Sequence, residues 1–235
     1  MYKNLKFLLE SYGATEPLYF GPSKDKSKWL KWLKKQNHEV HEDGSVSIKH
    51  SVDLMERKLT RIPFNFKKVN GAFICAYNQL TTLEGCPEVI GTHFSCDGNL
   101  LTSLEGGPKQ VESYRCSGNR LVSLKGAPEV IPGLFDCSAN LLTTLEGAPK
   151  EVGTFFRCNL NKLTSLKGAP EKVLQYMLCN DNPLQSLEGA PEVVGKFYSD
   201  QFSDEDYRKF VKKRKYVEGS LDKELDVSAL DDFGS

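Results

Sequence analysis

The sequence predicts an α/β solenoid of about seven rungs, with a short parallel β-sheet on its concave face and a helix at each end. Three observations predict it. Six of the seven cysteines, Cys75, Cys96, Cys116, Cys137, Cys158 and Cys179, are spaced 21, 20, 21, 21 and 21 residues apart. The columns Asn78 to Asn182, Leu80 to Leu184, Leu83 to Leu187 and Gly85 to Gly189 keep the same phase. Outside this stretch the repeat stops and patterns of helical spacing begin, which sets off terminal segments at 1–45 and beyond 200.

Residues 1–45 come first. Pro17, Gly21 and Pro22 punctuate the stretch after Leu9. Lys24, Lys26, Lys28, Lys31, Lys34 and Lys35 then surround Trp29, Leu30, Trp32 and Leu33. On a helix Trp29, Trp32 and Leu33 share a face and most lysines take the other. Two readings follow: a cap that covers the open end of the core, or a helix that lies on a membrane surface or on nucleic acid. Asp43-Gly44 before Val46 and Ile48 reads as a turn into an edge strand.

The solenoid occupies 46–200. Residues 46–73 are a degenerate first unit, with Leu54 at the cysteine position and Arg57 at the asparagine position, as terminal repeats must differ to meet water. The regular unit reads F-x-C-x-x-N-x-L-T-S-L-E-G-x-P-x-x-V. One unit cannot bury its apolar face alone, so neighbours stack. F-x-C alternates as a short strand should, which turns Phe94, Tyr114, Phe135, Phe156, Met177 and the cysteines inward. Asn follows the strand, where its amide can bond the backbone of neighbouring turns. The two leucines fill the interior, and Gly-x-Pro bends the chain on the far side. After Asp200, Ser203 is an N-cap, followed by Asp204, Glu205 and Asp206, for a capping helix over 201–217 with Tyr207, Phe210 and Val211 on its apolar face. Residues 218–235 carry Asp222, Glu224, Asp226, Asp231 and Asp232 and read as an acidic flexible tail.

These motifs carry a resemblance. F-x-C-x-x-N-x-L is similar to the leucine-rich repeat core L-x-L-x-x-N-x-L, and L-T-S-L-E-G-A-P-x-x-V resembles the short L-P-x type of bacterial effectors. The wording also looks like that of repeat proteins encoded by large tailed bacteriophages. Met1 to Glu10, ending Leu8-Leu9-Glu10, resembles capsid-targeting peptides trimmed after an L-x-E triplet. A plain N-terminal helix is the other reading of that segment. The resemblance implies a leucine-rich repeat fold, a partner bound on the concave strand face and, for a phage protein, a host bacterial factor as that partner. It places the protein in the host cytoplasm, with packaging in the virion open. L-P-x effectors often add a large ligase domain. Only 35 of the 235 residues follow position 200, so that activity is not expected here.

Composition narrows function. Lys plus Arg is 31 and Asp plus Glu is 31, a formal net charge of zero, which argues against a general nucleic-acid coat. No run of 18 apolar residues would span a membrane, and no secretory signal is seen at the start. No phosphate loop, nucleophile elbow, metal pair or histidine–carboxylate cluster appears, so the expectation is a protein that is not an enzyme, with no cofactor and no metal. Zinc sites use C-x(2–4)-C pairs, which the cysteine ladder lacks, and His38, His41, His50 and His93 do not recur with it. Cysteine then serves as a small buried hydrophobe, and six interior thiols suit a reducing compartment. Cys86, in the G-x-P turn, reads either as a reactive thiol or as a tolerated small residue.

The candidate partner-binding residues are the outward positions of the strands. One column is His93, Ser113, Leu134, Phe155, Tyr176 and Phe197; the next is Ser95, Arg115, Asp136, Arg157 and Leu178; the third is Asp97, Ser117, Ser138, Asn159 and Asn180. Leu134, Phe155, Tyr176, Leu178 and Phe197 gather exposed apolar surface, which marks an interaction site. Arg115, Asp136 and Arg157 run beside them as an alternating charge stripe suited to specificity. The expected function is a scaffold that binds and blocks one host protein. The alternatives are a structural virion or assembly component, and an adaptor to nucleic acid or membrane through Lys24 to Lys35. Oligomeric state is left open, as is whether the C-terminal helix covers this face.

Overall fold

A computed structural model describes residues 26–217. The Leu8-Leu9-Glu10 triplet and the acidic segment 218–235 lie outside the described residues. In chain order the elements are α1 (Lys26–Leu33), β1 (His38–Val40), β2 (Val46–Ile48), β3 (Val52–Asp53), β4 (Phe66–Val69), β5 (Phe73–Ile74), β6 (Val89–Ile90), β7 (His93–Ser95) and β8 (Ser113–Arg115). They continue with β9 (Val130–Ile131), β10 (Phe135–Asp136), β11 (Glu151–Val152), β12 (Phe155–Arg157), β13 (Lys172–Leu178), β14 (Val193–Tyr198) and α2 (Asp204–Val217).

The strands form two parallel ladders on one coil. The aromatic ladder runs β3, β5, β7, β8, β10, β12 and then the second halves of β13 and β14. At about 4.8 Å per strand it is about 35 Å long. The valine ladder runs β2, β4, β6 and, after a single bridge between Val89 and Gln110, β9, β11 and the first halves of β13 and β14. A short corner joins the ladders in every turn. The corner at Glu112 is one residue short, and there the valine ladder shrinks to its bridge. β1 pairs antiparallel with β2 through the turn at Gly44 (φ 75°), so β1, not β2, is the edge strand.

This is a β-solenoid of about seven turns with parallel sheets, almost all strand; among the described residues the turns contain no helix. The segment from the second leucine to the valine strand explains why. It is the stretch L-E-G-A-P-x-x-V, too short for helical turns, and it is broken by a glycine at positive φ (81° at Gly106, 101° at Gly126) and the nearby proline.

The inside is a continuous spine. Phe64, Phe66, Phe73, Phe94, Tyr114, Phe135 and Phe156 follow one another at ring separations of 4.8 to 6.2 Å. Each such contact adds about 0.5–1.5 kcal/mol beyond area burial. Met177 continues the column, and Phe197 closes it against Tyr207 of α2 at 5.2 Å. At the other end Trp29 of α1 meets Phe64 edge-on at 6.2 Å, and Trp32 stacks on Phe64 at 5.9 Å. The six ladder cysteines and both leucine columns are buried beside this spine.

The asparagines connect turns. Asn140 is typical: its Oδ1 accepts from Leu121 N at 3.0 Å, and its Nδ2 donates to the carbonyls of Cys116, Cys137 and Ser138 at 3.0 to 3.1 Å. Asn78, Asn99, Asn119, Asn161 and Asn182 repeat the pattern. Each reaches back one turn and satisfies groups that would otherwise be orphaned in a buried bend.

The last turn meets α2 through side chains. Asp204 accepts from Phe197 N, Arg208 donates to Gly195 O, and the Tyr207 hydroxyl donates to Pro191 O. Ser203 caps α2: Asp206 N donates to its Oγ, and Asp206 accepts from Ser203 N in return. At the first turn, His50 Nδ1 bonds Ser51 O, just before the edge strand β3, and Arg57 donates to Asp53 O within it.

Candidate interaction face

The outward side of the aromatic ladder carries the candidate residues, and strand alternation decides which are presented. Phe155 and Tyr176 are half-buried neighbours in register, stacked at 5.0 Å with planes 15° apart. Tyr198 stacks on the other side of Tyr176 at 6.2 Å and is 43% exposed. Leu134 precedes Phe155 in the same column, and Leu178 follows Arg157 in the next; both are half-buried. Leu174, at the corner of β13, adds an aliphatic side chain that is 59% exposed. The rings stack on each other along the coil axis, so Tyr176 is covered on both faces, Phe155 lies between Tyr176 and Arg157, and Tyr198 ends the stack.

The charge stripe differs from its expected form. Arg115 is exposed, but Asp136 is only 7% exposed. Its Oδ1 accepts from Ser138 N and Oγ, and its Oδ2 lies 3.7 Å from Arg157 Nη1. Asp136 is thus a turn-holding carboxylate rather than a presented one, because an Asp two residues before a Ser closes a local side-chain turn. Arg157 is held from two sides, by Asp136 and by the Phe155 ring 5.4 Å from its guanidinium carbon. It is a pre-ordered cation at the border of the aromatic stack.

Phe197 is the clear correction. It was expected outward and is 2% exposed, paired with Met177 in the inward column. Between Val194 and Phe197 the corner has two residues, Gly195 and Lys196, where the turn before has three, and the ladder register shifts by one there. A one-residue shift moves a side chain to the opposite face. Lys196 therefore sits beside Tyr176, and Tyr198 beside Leu178. Tyr198 is the residue that sequence reasoning missed. The signal was present as Phe197-Tyr198-Ser199, a further F-x-C in which Ser stands 20 residues after Cys179.

The polar end of the face is built for the fold. Asp97 accepts from Ser117 N and Oγ and from Ser95 Oγ, and burial raises its carboxyl above the usual range. Asp200 accepts from Asn180 Nδ2 and from Asp181 N, and those bonds hold it below the usual range. His93 and Arg115 are exposed, Ser113, Ser117, Ser138, Asn159 and Asn180 are half-exposed, and Ser95 is buried.

Two other candidates of the sequence are spent inside. Burial pushes the thiols of Cys96, Cys116, Cys137 and Cys158 well above their ordinary range, and that of Cys179 to about 12. Among the described residues no group of three His, Cys, Asp or Glu side chains is placed to hold a metal ion. Trp29 and Leu33 of α1 are core residues, and Lys28 and Lys31 of α1 with Lys34 and Lys35 just after it are exposed. Among the described residues no helix is long and apolar enough to cross a membrane. Comparison with protein-family models, with curated proteins and with solved structures finds no match.

Proposed function

We propose that this chain is a non-enzymatic binding scaffold that recognises one protein partner through the outward side of its aromatic ladder. The supporting observation is the stack Phe155–Tyr176–Tyr198, bordered by Leu134, Leu178 and the doubly held Arg157, on a rigid run of parallel strands. Tyrosine and arginine on a pre-organised surface are the side chains that dominate protein–protein contacts.

The finer reading is a leucine-rich repeat of the short L-P-x kind with helical caps. It is supported by the repeat wording and by the way Trp29 and Tyr207 contact the two ends of the spine. On the resemblance to phage repeat proteins, the partner is a host bacterial protein blocked by occlusion, met in the host cytoplasm. A captured protein should bind the intact chain and not the Tyr176→Ala, Leu178→Ser variant, with the circular dichroism of the two alike. Binding left unchanged by the variant removes this face from consideration. Loss of binding with rising salt in both proteins alike points instead to the lysines of α1.

A further inference from the structure

In the two outward columns that hold the aromatic stack, the presented charge has one sign. Arg115 and Lys196 are exposed and enter no ion pair among the described residues. The one carboxylate of these columns from β7 to β14 is Asp136, which is 7% exposed and accepts from Ser138. Arg157 carries the sharper observation. Asp136 Oδ2 stands 3.7 Å from its Nη1, beyond hydrogen-bond reach, and the Phe155 ring lies 5.4 Å from its guanidinium carbon. Its Nε is buried without a partner, while the side chain as a whole is 39% exposed. The planar fork is held in place and its donors stay unused. A carboxylate meets such a fork with two parallel bonds.

We propose that the partner presents acidic side chains to this face, with one carboxylate seated on Arg157 and others within reach of Arg115 and Lys196. The proposal rests on the reading of this face as the binding surface and gives that surface its partner chemistry. Arg115 and Arg157 lie two strands apart, on either side of Asp136. Lys196 lies two strands beyond Arg157, beside Tyr176. The cations therefore repeat at about 10 Å along the coil. An acidic patch with the same repeat neutralises all three, and apolar side chains between its acids meet Leu134, Leu178 and the rings. A neutral or basic partner would bury these cations without counter-charge. Asp181 and Asp200 are exposed in the third column and its bend, at the C-terminal end, so the partner's acids have a side as well as a sign.

The test selects a displayed random-peptide library on the immobilised full chain, then titrates the enriched peptides as synthetic probes. The expected peptides are rich in Asp and Glu, and Arg157→Gln weakens them tenfold or more. Arg157→Lys, which keeps the charge and loses the fork, restores only part of the binding. Lys196→Gln, at an exposed residue in no ion pair, should weaken the same peptides about threefold and guards against a folding defect in Arg157→Gln. Lys167→Gln, at an exposed lysine outside the three columns, leaves binding unchanged. No enrichment over the bare support, neutral or basic peptides, or acidic peptides indifferent to Arg157→Gln and Lys196→Gln each overturns the proposal. Neutral peptides lost in the Tyr176→Ala, Leu178→Ser variant would do so while leaving the face as the binding surface; acidic peptides unchanged by that variant would remove the face as well. Enrichment seen only after Asp222→Asn, Glu224→Gln, Asp226→Asn, Asp231→Asn and Asp232→Asn are made together in the full chain would name the chain's own acidic segment as the occupant, and overturns an external partner.

Discussion

The hydroxyl of Tyr114 occupies the space that a side chain at Gly107 would need: a Cβ built on Gly107 would fall 2.8 Å from it. Neighbouring turns pair Phe with Ala or Cys at these two positions, and this turn pairs Tyr with Gly. The extra oxygen of one residue is matched by the missing methyl of the other. The hydroxyl is buried and, among the described residues, has no hydrogen-bond partner.

Tyr114→Phe should therefore stabilise the fold, by up to about 1 kcal/mol, because it removes an unsatisfied buried hydroxyl at nearly constant volume. Gly107→Ala alone should cost about 1–3 kcal/mol through overpacking. It should cost less in the Tyr114→Phe background, although contacts with Leu104 O and Leu83 remain. Urea unfolding of the four proteins checks this, and strictly additive effects would contradict the pairing.

Asn140→Ala should be among the most damaging single changes, at about 3 kcal/mol or more. It leaves the amide of Leu121 without a partner in a buried bend and takes one bond each from the carbonyls of Cys116, Cys137 and Ser138, which keep those from Asn119, Asn161 and Gly118. Asn140→Asp should also destabilise, since a carboxylate cannot donate to those carbonyls. Thermal melts and amide exchange at Leu121 report the loss.

Phe197→Ala and Tyr198→Ala should separate cleanly. The first removes a ring from the core and should cost about 3–5 kcal/mol. The second removes a partly exposed ring, with a stability cost of about 1 kcal/mol, and falls on partner binding. Paired unfolding and binding measurements check the register, and the reverse ranking would restore the outward placement of Phe197.

Asp97→Asn should raise stability at neutral pH. Burial raises the carboxyl of Asp97 in the folded state, so ionising it opposes folding. The sign is that of a group whose folded pKa lies above its unfolded one: its contribution is most favourable below the ordinary carboxylate range and is lost as pH rises through the folded value. The advantage of the Asn variant should accordingly shrink as pH falls toward 4 and below. An advantage that grew on acidification would show that the bonds from Ser95 and Ser117 outweigh burial.

The coil was legible because each buried column repeats one residue type. Cys, Asn, Leu and Phe recur in phase, and the structure places them where alternation and stacking require. The degenerate first turn was legible for the same reason: Leu54 fills a cysteine position, and Asn78 reaches back to the amides of Arg57 and Leu59. Corners were not legible, since their length varies by a residue without changing composition. Gly195 moved Phe197 inward and brought out Tyr198. The fate of Asp136 was hidden because a carboxylate followed by Ser reads equally as exposed charge or as turn anchor. The absence of helix within the turns follows from the glycine and proline spacing, which the repeat's leucine and asparagine columns do not reveal.

The asparagine clasps all point one way. Each fastens the turn before its own, while the cysteine thiols and Asp97 reach to the turn after. The final turn has no asparagine after it and depends on Asp204, Arg208 and Gln201, whose Nε2 donates to Asn182 O. Taking α2 away would remove the bonds of Asp204 and Arg208 and no asparagine clasp, so the last turn should loosen while the turns before it stay shut.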